Sequence, residues 1–161
     1  MTTEPMRTER LVEELTRERD ALLALFAAIA PESMTTPGLV GGWSARDLIA
    51  HLGYWAGHAV EIIHAVEQGR AEELADAIPT DEVNETVARV ARSTELATVR
   101  RREEASVEAL VERLRSLDPA LLDVTLPDGA TLEQGIREDA SAHYHGHAEE
   151  LGRMLKEAPR G

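Results

Sequence analysis

The strongest constraint on the fold is the spacing of apolar residues. It recurs at helical steps along nearly the whole chain and is interrupted only by proline, glycine and capping residues. Leu11, Leu15, Leu22, Phe26 and Ile29 share one helical face and Pro31 closes the pattern, so a first helix is expected over about residues 6–30. Pro37, Gly38, Gly41 and Gly42 form a loop. Ser44, with Asp47 three residues on, has the form of a capping box and starts a second helix. Leu48, Leu52, Trp55, Ala59, Ile62 and Val66 follow at steps of three and four, and Gly69 stops it.

Pro79, Thr80 and Asp81 open a third segment with Val83, Val87 and Val90 on one side. Ser93 and Thr94 interrupt it, and the pattern resumes at Leu96 and continues to Leu117, so two helices in series are expected before Pro119. Pro127, Asp128 and Gly129 carry turn chemistry, and Thr131 caps a last helix running to about Lys156. Strand alternation is confined to a weak trace at residues 123–126. Amphipathic helices joined by Pro/Gly loops bury their apolar stripes by packing on one another, so the expected fold is all-α, an up-and-down four-helix bundle. A chain of 161 residues suits one domain spanning residues 1–161.

Against this background the histidines stand out. The stripe of the last helix runs Leu132, Ile136, Ala140, His143, His147, Leu151 and Met154, so two imidazoles lie on its apolar face at i, i+4, with Cβ atoms about 5 to 6 Å apart. Neutral imidazoles on a core face need partners for both ring nitrogens, and a metal ion answers that need. His51, beside Leu52 on the second helix, is the third candidate ligand. Three nitrogens with open positions resemble catalytic rather than closed structural zinc sites. The competing reading is a set of hydrogen-bonded histidines that bind nothing. His58 shares the face of His51 and is a pocket candidate rather than a ligand, as are Trp55 and Tyr144. His145 points away from the pair and His64 reads as surface. Asp139 is read as an ordinary surface partner of His143, the alternative being a contact that fixes the imidazole, and Trp43 and Trp55 as core anchors, with a substrate platform as the alternative, above all for Trp55 one turn from His51.

Composition narrows the chemistry. There are no cysteines, which excludes disulfides, thiolate metal sites and an internal thiol nucleophile, so any thiol must come from outside. A formal net charge of −13 argues against nucleic acid and anionic membranes as partners. Arg100, Arg101 and Arg102 form the one basic cluster, followed at once by Glu103 and Glu104. The N-terminal MTTEPMRTERLVEEL has neither the basic nor the apolar region of a secretory signal, and no apolar run reaches the roughly 20 residues of a membrane span. A cytoplasmic location is expected.

Two stretches, GWSARDLIAHLGYW at residues 42–55 and LPDGATLEQGIREDASAHYHGH at residues 126–147, resemble the DinB-like superfamily of four-helix metal-binding proteins. That superfamily includes thiol-dependent transferases and the N-terminal domain of maleylpyruvate isomerases. The resemblance implies that His51, His143 and His147 hold a divalent metal, zinc or nickel, in a bundle that forms a homodimer. Leu126 and Pro127 stand where relatives often carry an aromatic residue. The expected function is a metal-dependent enzyme acting on a small electrophilic substrate, as a thiol S-transferase using a low-molecular-weight thiol or as a hydrolase. The alternative is a non-catalytic metal- or ligand-binding bundle serving stress response.

Overall fold

The structure, a computed structural model, describes residues 6–157. Its helices are α1 (Arg7–Ala27), α2 (Ala45–Glu67), α3 (Thr80–Arg92), α4 (Leu96–Ser116), α5 (Leu132–Asp139) and α6 (Ser141–Glu157). Short 3₁₀ turns lie at Pro31–Ser33, Ala71–Asp76 and Pro119–Asp123. The four-helix bundle expected from periodicity is the observed architecture, with α1, α2, α4 and the α5–α6 pair as its members. α1 packs on α4 and α6, and α2 packs on α4 and α5, which places α1 and α2 on a diagonal.

Side-chain pairs fix the directions. Arg115 faces Glu9, and Arg19 faces Glu103, so α1 and α4 are antiparallel. Gly53 lies against Glu103 and Glu67 pairs with Arg113, so α2 and α4 are parallel. The order of directions is therefore up, down, down, up, which corrects the alternating up-and-down order expected from sequence. The long return through residues 68–95, which carries α3, allows two successive bundle members to run the same way.

The local signals that start and stop helices act as the sequence indicates. Ser44 Oγ accepts from the Asp47 N–H at 3.2 Å, while Asp47 Oδ2 accepts from the Ser44 N–H at 3.1 Å. Gly69, with φ of 68°, takes the left-handed conformation just after α2. Thr131 forms a second capping box with Gln134. α3 and α4 are separate, broken at Ser93–Glu95 as expected. The weak strand trace appears as an isolated bridge between Thr125 and Thr131.

Two boundaries differ from expectation. α1 ends at Ala27 rather than near residue 30, although Ile29 still packs against the core. The last helix is two helices: Ala140, with φ −124° and ψ −99°, breaks it between α5 and α6. Neither glycine nor proline marks that break. It coincides with Asp139 turning its side chain to a residue on α2, a tertiary contact that local periodicity cannot register.

Leu15, Leu22, Leu48, Leu52, Leu110 and Leu114 are fully buried in the core. One polar network crosses it. Glu103 Oε1 and Oε2 accept from Arg19 Nε and Nη2 at 2.6 and 2.7 Å, and Tyr144 donates its hydroxyl to Glu103 Oε1 at 2.6 Å. This network ties α1, α4 and α6 together. Among the described residues no helix is long and apolar enough to cross a membrane.

Candidate metal centre

The capping box at Ser44 sets the start of α2, and about two turns later His51 enters the bundle with only 5% of its surface exposed. The break at Ala140 sets the start of α6, which presents His143 and His147 one turn apart. The three Nε2 atoms converge. His51 Nε2 lies 2.8 Å from His143 Nε2, which lies 3.1 Å from His147 Nε2. All three candidate ligand atoms fall within 4.8 Å of one another. Nitrogens of a tetrahedral zinc site at bonds of about 2.0–2.1 Å sit roughly 3.4 Å apart, somewhat more than the 2.8 and 3.1 Å separations here and within the 4.8 Å that bounds all three.

This arrangement is hard to satisfy without a cation. An imidazole Nε2 either donates one proton or offers one lone pair. His143 Nε2 faces two other Nε2 atoms and can serve only one of them well. A cation accepts all three lone pairs at once, so the donor set fits a divalent metal. The outer nitrogens are less well provided for. Among the described residues His51 Nδ1 and His143 Nδ1 have no hydrogen-bond partner, and His147 Nδ1 faces Glu150 Oε1 at 3.7 Å.

Electrostatics keep the cluster neutral. Burial, with repulsion from His143 and His147 added, lowers His51 to about 3. Burial, then the charge of His147, lowers His143 to about 4, with the backbone of Asp139 opposing. Burial also lowers His147, against the pull of Glu150. Uncharged imidazoles are the form that ligates, so near pH 7 no proton need be displaced.

The cluster opens into a cleft of about 390 Å³, whose walls include Trp43, Trp55, Thr80, Asn84 and Asp139. Trp55 lines this cleft and donates its Nε1–H to Asn84 Oδ1 at 2.8 Å. Trp43, whose ring centroid is 4.8 Å from that of His51, also lines it. Both tryptophans are half-buried: Trp43 packs against the core and also walls the cleft, whereas Trp55 walls the cleft alone, because the loop before α2 and the helix α3 leave a gap above the histidines. His58 stands behind the cleft, its Nδ1 2.7 Å from Asp139 Oδ2. Burial disfavours a charge on His58, but the hydrogen bond and charge of Asp139 outweigh it and raise the imidazole; burial likewise raises Asp139. Asp139 is thus a buried partner of His58, not a surface partner of His143.

Tyr144 does not belong to this pocket. It follows His143 directly, but one residue along a helix is a turn of about 100°, which sends its ring into the core and its hydroxyl to Glu103. His145 lies on the outside between Glu18 and Glu149 at 2.9 and 3.0 Å, and His64 is exposed beside Arg113. Thr80, read from sequence only as part of a helix start, and Asn84 were not singled out as site residues. They reach the site only because α3 folds back over the mouth of the bundle, and no motif marks them.

Fold and site together define a helical bundle with a three-histidine candidate metal centre at the base of an open cleft. The chain belongs to the mycothiol maleylpyruvate isomerase N-terminal domain family, whose model matches residues 15–145. No curated protein matches the sequence. Among solved structures, an uncharacterised protein from Escherichia coli UTI89 superposes with a TM-score of 0.77 at 14% identity, covering 94% of each chain. The colibactin self-resistance protein ClbS, in complex with a dsDNA, gives 0.75 at 17%, covering 98% of this chain and 100% of that one. The mycothiol-dependent maleylpyruvate isomerase gives 0.71 at 20%, covering 94% of this chain and 64% of the isomerase.

The ClbS complex corrects one expectation. Nucleic acid was excluded on the net charge of −13, yet a protein of this fold is seen with a DNA duplex. Salt confines electrostatic influence to about 8 Å, so a local surface decides phosphate contact and a whole-chain sum does not.

Proposed function

We propose that this protein is a divalent-metal-dependent enzyme that joins a low-molecular-weight thiol to a small electrophilic substrate. The observation that carries this reading is the convergence of the three Nε2 atoms of His51, His143 and His147 at the base of a cleft. Zinc and nickel suit such a set of imidazole donors. Membership of a family described by mycothiol supports the thiol, and the absence of cysteine requires that it be supplied from outside.

When bound, the metal supplies Lewis acidity toward the thiol sulfur or a substrate oxygen. The protein's own residues do the rest. The three imidazoles of His51, His143 and His147 would hold the ion. Trp43 and Trp55 offer flat apolar walls that orient a small substrate and limit water. Asn84 Oδ1 fixes the Trp55 ring through its indole N–H. The His58–Asp139 pair holds a proton at Nδ1, with Asp139 itself lining the cleft. Hydrolysis with water in place of the thiol uses the same residues, and the two reactions separate by the cosubstrate they require.

The test is elemental analysis of the untagged protein beside a His143→Ala/His147→Ala variant, followed by a screen of electrophiles with mycothiol, bacillithiol, glutathione or no thiol. One metal ion per chain in the wild type, lost in the variant, with thiol-dependent turnover, is expected. Equal trace metal in both proteins refutes the centre. Metal binding without turnover of any electrophile would leave a non-catalytic metal-binding bundle. A DNA duplex belongs in the same screen, since ClbS is seen with one.

A further inference from the structure

A second cavity, of about 290 Å³, lies between α2, α3 and α4, and shares no lining residue with the histidine cleft. Ala50, Val87, Ala91 and Val99 are among its walls, with Tyr54 and Val90 also lining it. Its base depends on Gly53. A Cβ there would lie 2.9 Å from Glu103 Cα, so glycine allows α2 and α4 to come this close. α3 packs on α2 above this line of contact, and the small Ala50 and Ala91 leave the space beneath it unfilled.

The sequence pattern does not explain the exposed apolar surface at the opening. Val90 falls on the helical stripe with Val83 and Val87, yet it is 51% exposed, and Tyr54 is 40% exposed. An apolar ligand body would take both out of water at about 25 cal/mol per Å². The charges around the cavity are unequal. Glu103 is held by both nitrogens of Arg19 and by Tyr144, so its charge is already compensated. Arg102, also lining the cavity, has no hydrogen bond or ion pair among the described residues. No acidic residue stands three or four positions from it: Thr98, Val99, Ala105 and Ser106 occupy those places. In a chain with 30 acidic residues against 17 basic ones, a free guanidinium over an apolar cavity is a feature that calls for an anion.

We propose that this cavity binds a small amphipathic carboxylate, with the hydrocarbon body between α2 and α3 and the carboxylate on Arg102. Arginine presents two parallel N–H donors matched to a carboxylate, and apolar walls with few polar groups are the usual make-up of small-ligand pockets. The site is independent of the histidine centre and of the reaction proposed there.

Calorimetric titration of the metal-free protein with octanoate, octan-1-ol and acetate tests this. Octanoate binds saturably, and the alcohol and acetate bind at least about tenfold more weakly, since the alcohol forfeits a hydrogen bond to a charged group worth about a factor of ten and acetate forfeits the buried hydrocarbon body. Arg102→Gln weakens octanoate about tenfold. Val87→Trp, which fills the cavity, abolishes binding. The exposed Arg102 is replaced without disturbing the core, so the first variant stands even if the second fails to fold. The His143→Ala/His147→Ala variant binds octanoate as the wild type does, which separates this site from the metal centre. Absence of saturable binding overturns the proposal, as does equal affinity for octanoate and octanol or an unchanged affinity in Arg102→Gln. Sedimentation showing a dimer that Val87→Trp dissociates would assign the cavity to a second copy of the chain and likewise overturn it.

Discussion

Replacing Tyr144 with Phe removes one hydroxyl from a buried network and leaves the ring in place. The lost bond is the 2.6 Å donation to Glu103 Oε1. Hydrogen bonds to charged groups contribute about 1.5–3 kcal/mol net. Glu103 Oε1 keeps its bond from Arg19 Nε at 2.6 Å, so the carboxylate is not orphaned and the loss falls at the low end, about 1.5–2 kcal/mol. For a domain of this size each kcal/mol moves the melting temperature by about 2–4 °C, giving a drop of roughly 3–8 °C. Glu103→Gln is more severe. It removes the charge that compensates Arg19, whose side chain is only 20% exposed, and breaking a buried pair costs about 3–5 kcal/mol. Urea unfolding followed by circular dichroism measures both. A Tyr144→Phe variant within about 0.5 kcal/mol of wild type would refute the view that this network fixes α6 against α4.

Further consequences follow from the histidine cluster and the glycines. In chelator, His51 and His143 are held at about 3 and about 4, below the ordinary 6.5, so the unfolded chain takes up protons first as the medium acidifies. Stability from these groups is level above pH 6.5 and falls as pH drops toward 4; the urea midpoint should trace that fall, and His51→Gln should flatten it. Added zinc raises the melting temperature of the wild type and EDTA reverses the gain, whereas the His143→Ala/His147→Ala variant responds to neither. Gly146→Ala, whose Cβ meets nothing within 4 Å, should stabilise by about 0.8–1 kcal/mol. Gly53→Ala, with the same helical gain, should destabilise by about 1–3 kcal/mol because Glu103 Cα lies 2.9 Å away; a more stable Gly53→Ala would mean that α2 and α4 separate freely.

The contrast between what could be read from residues and what could not follows the range of the interaction involved. Ser44 and Asp47 announce the start of α2 because a capping box is a contact between neighbours three residues apart. The same holds for the break at Ser93 and for His143 and His147, which share a face by helical geometry alone. Asp139 shows the limit. Its position four residues before His143 suggested one partner, and the fold supplied another, His58, 81 residues away in sequence. Tyr144 shows it again. Adjacency to His143 placed it in the pocket, and the helical turn between them sent it to Glu103.

By itself the sequence determined the helical class, the main helix boundaries and the two imidazoles of α6 on a common face. Each of these depends on backbone periodicity and on contacts within a turn or two. The tertiary structure decided which helices are neighbours and the up, down, down, up order. It also brought His51 to the α6 pair, placed Asn84 and the tryptophans around the cleft, and left Arg102 unpaired over a cavity. Those outcomes depend on how four apolar stripes and one long crossover share a single interior, and side chains 80 or more residues apart meet only after that packing is settled.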